Sequence, residues 1–150
     1  MNGNRKYSSQ IRDTGILLLS KGTTIRIKAH GYSMYPAIRP GSIIIIEPIK
    51  IKGPPRRGEI VAIKREKGLI VHRLIKIPIQ DSTRKYITRG DSNAYADAPM
   101  SMDMIVGRVV GAEPTGENPV VADIRINMKP KYILNRIRVI FIILRKKLKE

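Results

Sequence analysis

The segment Pro40–Pro48 reads PGSIIIIEP, and it decides the fold class. Its four consecutive isoleucines form an apolar run of the length expected for a buried strand. Isoleucine also favours strands, because its β-branched side chain packs well on a pleated surface. The Pro-Gly pair before the run and the proline after it are typical of strand ends. The sequence therefore predicts a buried strand over Ser42–Glu47.

Short apolar runs and turn signals continue on both sides of this segment. Before it, Thr23–Ala29 alternates isoleucine with cations, as a half-buried strand does. After it, the Pro- and Gly-rich segment Lys50–Gly58 is predicted as a loop, and Lys67-Gly68 separates two runs in the manner of a hairpin. Many short strands between turns predict a mainly β fold, a small coiled β-sheet or partial barrel. The further predicted strands are Glu59–Arg65, Leu69–Ile77, Arg84–Thr88 and Met104–Val110.

Helices are predicted only at the two ends of the chain. A short N-terminal helix is expected over Ser9–Leu19, ending near Gly22. Its apolar stretch is too short and too closely flanked by charges for a signal peptide or a membrane span, so no secretion signal is predicted. The expected organisation is an N-terminal helical segment over residues 1–22, a β domain over 23–124 and a basic amphipathic helical segment over 125–150.

Composition limits the chemistry. The chain has 150 residues, enough for one domain with a real core, and 42% of them are hydrophobic although it contains one Phe and no Trp. It has no cysteine, which excludes disulfides, thiol catalysis and thiolate metal sites. Neither a cofactor nor a metal site is predicted.

The formal net charge of +17 indicates a polyanionic neighbour, either nucleic acid or an anionic membrane surface. Much of this charge lies in the C-terminal segment, whose apolar residues recur at helical spacing. An apolar face flanked by cations suits the headgroup region of a bilayer, and the alternative is a helix that packs on the protein's own core. The cations are Arg125, Lys129, Lys131, Arg136, Arg138, Arg145, Lys146, Lys147 and Lys149, and the apolar residues are Ile133, Leu134, Ile137, Ile140, Phe141, Leu144 and Leu148.

The stretch Gly31–Pro36, GYSMYP, holds the strongest candidate for a reactive side chain. Ser33 lies between a glycine and a proline, where the backbone can hold a hydroxyl rigidly; the alternative is an ordinary turn residue. A serine needs an adjacent base to become a nucleophile. His30 and His72 are the only histidines, and Lys64 and Lys76 are the alternative bases on predicted strands.

A loop with two carboxylates follows the strand that ends at Thr88. It contains Asp91 and Asp97 within RGDSNAYAD, a composition that would also suit a turn with side-chain hydrogen bonds or a weak calcium site. A carboxylate beside a histidine fixes its tautomer and stabilises the imidazolium. The sequence thus contains the three residue types of a Ser/His/Asp site.

Four motifs in this order and approximate spacing resemble those of the type I signal peptidases. The resemblance is to the branch of archaea and the endoplasmic reticulum, which has a histidine where the bacterial enzymes carry a lysine base. It covers about Gly31 to Gly111. The motifs are Gly31–Pro36, Leu69–Arg73, Arg89–Asn93 with Asp97, and Ile105–Val109.

The resemblance implies a role for each matching residue. Ser33 matches the nucleophile, His72 the general base, Asp97 the carboxylate that orients the imidazole, and Asp91 a second, more structural carboxylate near the site. Met34 and Pro36 match residues that shape the substrate cleft and fix the turn. The backbone N–H of the nucleophile and a neighbour would hold the oxyanion. Some relatives add a serine hydroxyl two positions earlier, where this chain has Gly31 in the substrate-binding turn.

The implied partner is a peptide or preprotein with small residues before the cut, bound as an added strand at a membrane surface. The chain departs from the family's usual N-terminal anchor, so we expect peripheral membrane association through the basic C-terminal segment.

Three alternatives stay open. One is a self-cleaving repressor-type peptidase, although that group uses lysine and cuts an Ala-Gly bond, which this chain lacks. The second is an inactive relative acting as a binding module. The third is a nucleic-acid-binding β-barrel, which is disfavoured because the tyrosines are scattered rather than gathered on one sheet face.

Overall fold

The computed structural model describes residues 14–66, 68–113 and 131–148. A mainly β fold is confirmed, with a helix at either end of the described chain. The described part of helix α1 is residues 14–20. The other elements are β1 (Ile25–Lys28), β2 (Ile43–Pro48), β3 (Ile60–Arg65), β4 (Gly68–Lys76), β5 (Ile79–Gln80), β6 (Thr83–Arg84), β7 (Ile87–Arg89), a 3-10 turn (Met102–Met104), β8 (Ile105–Glu113) and α2 (Tyr132–Lys147).

Six strands form one open sheet in the order β1-β2-β8-β3-β4-β7, and every neighbouring pair is antiparallel. The sheet does not close, so it is a partial rather than a complete barrel. Strands β5 and β6 form a separate two-stranded hairpin. The predicted strand Arg84–Thr88 is therefore divided. Its first residue belongs to the hairpin strand β6, and its last two belong to β7 of the main sheet, which begins at Ile87.

Strand β3 lies between two apolar clusters. Ile60 and Ala62 face a cluster with Met34, whereas Val61 and Ile63 face a second one. Successive side chains of a strand point to opposite faces, so a strand that is apolar at four consecutive positions must be covered on both. All four residues are fully buried. The segment Ile60–Ile63 thus meets the description of a doubly covered strand.

The isoleucine run of β2 is buried mainly on one face. Ile44 and Ile46 are buried in the first cluster, whereas Ile43 and Ile45 are only partly covered. Gly111 on the neighbouring strand leaves the space that the Ile45 side chain occupies, since a Cβ at this glycine would lie 2.9 Å from Ile45 Cδ1. A continuous apolar run therefore predicted the strand correctly but overstated its burial.

Helix α2 contributes little to the core. Among its residues only Asn135 and Val139 are buried, while most of its apolar side chains are exposed. No described helix combines the length and the apolar character needed to cross a membrane. The first residues of the predicted N-terminal helix, Lys67, the boundary at 124/125 and the cations Arg125, Lys129 and Lys149 lie outside the described residues.

Candidate active site

The turn that carries Ser33 follows β1, and the buried side chain of Met34 holds it to the core. Gly31 has a φ of +78°, which L side chains rarely adopt, although nothing lies within 4 Å of a Cβ built there. Met34 is buried in the first apolar cluster, and its carbonyl accepts the backbone N–H of Ile38 at 2.9 Å. Ser33 itself stays partly exposed. An L side chain at Gly31 would be strained in this conformation.

The loop after β7 holds the backbone of this turn. The Ser92 hydroxyl donates to the Tyr32 carbonyl at 2.6 Å, and the Ser92 N–H donates to the Ser33 carbonyl at 2.9 Å. Gly90 packs so closely on this turn that a Cβ added to it would lie 2.7 Å from the backbone carbonyl oxygen of Ser33. A side chain at Gly90 would therefore displace the turn. These contacts join two motifs that are far apart in sequence.

His72 and Asp97 are in direct contact. The Nδ1 of His72 lies 2.7 Å from Oδ2 of Asp97, and the Thr88 hydroxyl donates to the same oxygen at 2.6 Å. Burial opposes ionisation of Asp97, but hydrogen bonds from His72 and then Thr88 outweigh it and hold the pKa of Asp97 below its ordinary value. An ionised carboxylate at Nδ1 places the ring proton there, which leaves Nε2 as the basic nitrogen.

Asp91 has a different partner. Its two carboxylate oxygens accept from Arg73 Nε at 2.8 Å and Nη2 at 2.7 Å, and the two side chains are only 3% and 4% exposed. Because His72 and Arg73 are consecutive on β4, their side chains point to opposite faces and reach different aspartates. Asp91 therefore does not contact His72; it fixes the loop in a buried ion pair.

Ser33 and His72 line one cleft of about 770 Å³. Its walls are β1 on one side and the first half of β4 on the other, and Gly31 and Met34 also line it. Among the described strands, β1 is at the edge of the sheet, so within that part of the chain its outer backbone groups could pair with an extended peptide in the cleft. The two charged residues in this lining, Arg26 and Lys28, are both cations.

The remaining candidates lie at or outside this cleft. His30 is an exposed residue of the cleft wall. Pro36 is not in the described lining; it follows Tyr35 by a cis peptide bond in the turn. Lys64 and Lys76 are exposed strand residues, and neither is in the described lining.

Three residues of this arrangement were given no role by sequence reasoning. Thr88 is the strand residue just before the loop, and Ser92 lies in the loop directly after Asp91. Nothing in the sequence pairs Thr88 with Asp97 or Ser92 with the Ser33 turn. Asn135 of α2 donates from its amide to the Asp91 carbonyl at 3.1 Å, and nothing in the sequence pairs that helix with the loop. Within the described residues no group of three or more His, Asp or Glu side chains could hold a metal ion.

One family comparison bears on this geometry. A family model described as Peptidase S24-like matches residues 4–110, which include every residue of the Ser33, His72 and Asp97 motifs. The match supports a serine-peptidase or self-cleaving-repressor type of fold, and it does not single out the signal peptidases. The resemblance seen in the motifs is thereby supported at the level of related serine peptidases.

Proposed function

We propose that this protein, which belongs to the Peptidase S24-like family, is a serine endopeptidase of the signal-peptidase type that cuts after small residues. The observation that carries the proposal is that His72, whose Nδ1 lies 2.7 Å from Oδ2 of Asp97, lines the same cleft as Ser33. A carboxylate that orients a histidine beside an accessible serine is the arrangement that nucleophilic acyl transfer needs.

In the proposed reaction the Ser33 Oγ attacks the peptide carbonyl carbon while His72 Nε2 takes its proton. The resulting oxyanion accepts from the backbone N–H of Ser33 and a neighbouring donor. His72 returns the proton to the leaving amine, and the C–N bond breaks to leave an acyl ester on Ser33. Water then repeats the sequence, with His72 as base, and releases the carboxylic acid. Asp97 stays ionised throughout and stabilises the imidazolium.

The substrate is proposed to lie extended along β1. Isoleucines and Met34 make the cleft wall apolar, and the edge of β1 offers backbone hydrogen bonds. Gly31, Met34 and Pro36 are the proposed substrate-binding turn. The protein is further proposed to act at an anionic membrane surface, with α2 as the peripheral attachment. The exposed apolar residues and the cations of that helix support this part of the proposal.

Cleavage of a peptide with alanine at the two small positions before the cut tests the enzyme proposal. We expect the wild type to cut it and both Ser33→Ala and His72→Ala to lose at least about 10⁴-fold in kcat. Ser101→Ala, which removes an exposed hydroxyl near the 3-10 turn, is the matched control and should keep the wild-type rate. Equal cleavage by the wild type and Ser33→Ala would end the proposal.

The family match also favours a second candidate, cleavage of the protein's own chain. Mass spectrometry of purified protein during incubation would separate the two. An intramolecular cut needs Ser33 and proceeds at a rate independent of protein concentration, whereas an enzyme acting in trans on another copy speeds up with concentration. An intact chain that cuts the added peptide would leave only the first candidate.

A further inference from the structure

Helix α2 has two opposite faces. On a helix with 3.6 residues per turn, Ile133, Ile137 and Leu144 share one side, and the buried Asn135 and Val139 lie on the other. The first side is exposed: Ile133 is 79% exposed, and Phe141, about two turns further along the helix, is 62% exposed. We call the exposed residues Ile133, Ile137, Ile140, Phe141, Leu144 and Leu148 the apolar stripe.

The buried side of α2 rests on the proposed catalytic loop. The Asn135 amide donates to the Asp91 carbonyl. The guanidinium of Arg89 stacks over the Tyr132 ring, with its Cζ 3.7 Å from the ring centroid. Arg89 in turn donates to the carbonyls of Asn93 and Ala94 at 2.9 and 2.8 Å. The chain from Arg89 to Asp97 that holds both the Ser33 turn and His72 is therefore packed against one helix.

The far end of α2 reaches the nucleophile's turn. The Lys146 ammonium lies 5.7 Å from the centroid of the Tyr32 ring, and Tyr32 precedes Ser33. The helix thus contacts the site at both of its ends, with the carboxylate loop near its first turn and the serine turn near its last.

Apart from these contacts, this helix buries little against the described part of the chain. Helices of this length are marginal on their own, and most of their stability comes from burying an amphipathic face. Here only two of sixteen residues are buried, and Lys131 at the N-cap makes no side-chain capping bond. A surface that covered the apolar stripe would add the missing burial, and it would do so only while the segment is helical.

Charge selects the surface. The helix contains no acidic residue, and Arg136 and Lys147 lie on one flank of the apolar stripe while Arg138 and Arg145 lie on the other. Cations beside an apolar face match anionic headgroups beside acyl chains. A nucleic acid would pair with the cations but leave the apolar stripe in water, and a second copy would bring the same cations together.

We propose that an anionic bilayer covers the apolar stripe and thereby activates the peptidase, because it stabilises α2 on the loop through Asn135 and Tyr132. This inference rests on the proposed function. It makes Asn135 a positioning residue that acts through Asp91 and the loop, and it links attachment to catalysis by one helix with two states, docked and undocked.

The test measures cleavage of a neutral, soluble peptide by the full chain with vesicles of phosphatidylcholine alone or mixed equally with phosphatidylglycerol. We expect the anionic vesicles to raise kcat roughly two- to tenfold, as for a docked fraction between about a half and a tenth in water, with KM unchanged. Far-UV circular dichroism should show a parallel gain of helix. Pure phosphatidylcholine should do neither.

Two variants separate attachment from coupling. Phe141→Ser with Ile133→Ser should keep the basal rate but lose vesicle sedimentation and activation together. Asn135→Leu should still sediment with vesicles but gain no kcat, and Asn135→Asp, which replaces the donor with an acceptor at the same size, should behave likewise. Activation of Asn135→Leu equal to that of the wild type would overturn the coupling.

The other results are equally distinct. No cleavage under any condition would remove the proposed function. An active protein that binds anionic vesicles but cleaves the peptide no faster with them would remove this inference alone. Acceleration by an oligonucleotide to the same extent would assign the effect to polyanion charge, and acceleration by raising the protein concentration alone would assign the apolar stripe to a second copy. Either outcome would overturn the membrane proposal.

Discussion

Asp91 and Asp97 stand six residues apart on one loop and have opposite environments. Asp91 is buried against Arg73 with both oxygens engaged, while the Asp97 side chain is a quarter exposed and meets a histidine and a hydroxyl. The first environment keeps both side chains charged, because the loss of either partner would leave the other as an unpaired charge in the interior. The second leaves the histidine one basic nitrogen. Burial and partner, rather than residue type, distinguish the structural carboxylate of Asp91 from Asp97, for which a catalytic role is proposed.

The largest expected effect comes from the chemical end of this loop. Asp97→Asn should lower kcat by about 10³- to 10⁴-fold, because an amide no longer stabilises the imidazolium and can favour the wrong tautomer of His72. The free energy of unfolding should change far less. Peptide cleavage and urea unfolding on the same preparation measure both quantities.

Asp91→Asn is the matched control for that experiment, and it should give the reverse pattern: a clear loss of stability with kcat retained in the folded fraction. If the two variants instead lost kcat equally, the division between the aspartates would be wrong.

The next effect belongs to the buried end. Arg73→Met leaves the Asp91 carboxylate without its cation, and breaking a buried pair in this way costs about 3–5 kcal/mol of unfolding free energy. The double variant Arg73→Met, Asp91→Leu should recover much of the loss, since no charge is then left buried. Arg84→Met, at an exposed arginine of β6, should have almost no effect in urea unfolding. A double variant as unstable as the single one would show that the ion pair is not the source.

Much of the fold could be predicted from local pattern. The runs around Ile60 and Leu69 gave strands within a residue or two of β3 and β4, because apolar alternation and turn residues act over a few positions. The break between Arg84 and Ile87 could not be predicted in the same way. It depends on the β5–β6 hairpin. Ile79 and Gln80 of β5 are both exposed, and these two residues are too few to form an alternating apolar pattern that would predict a strand.

The site was predictable to the level of motifs but not of contacts. Sequence could place a serine, a histidine and two aspartates in order, whereas the choice of partner for each aspartate follows from the opposite directions of His72 and Arg73 on β4. The contact of Asn135 with Asp91 joins residues 44 positions apart. Such a pairing depends on tertiary packing and leaves no trace in local composition.

The smallest effect is a pH dependence, and it sharpens the comparison at Asp97. Since the pKa of Asp97 is lower in the folded protein than its ordinary value, the carboxylate stabilises the fold above that ordinary value. This stabilisation is lost as the pH falls through the lowered value. The difference in unfolding free energy between the wild type and Asp97→Asn should therefore shrink as the pH falls from above the ordinary value of 3.8 through the lowered one. Thr88→Val removes one of the two hydrogen bonds that lower the pKa of Asp97. In that variant, the stabilisation by the Asp97 carboxylate should therefore begin to be lost at a higher pH than in the wild type. Urea unfolding across that range measures both, and identical pH profiles for Thr88→Val and the wild type would show that the hydroxyl does not help to keep Asp97 ionised.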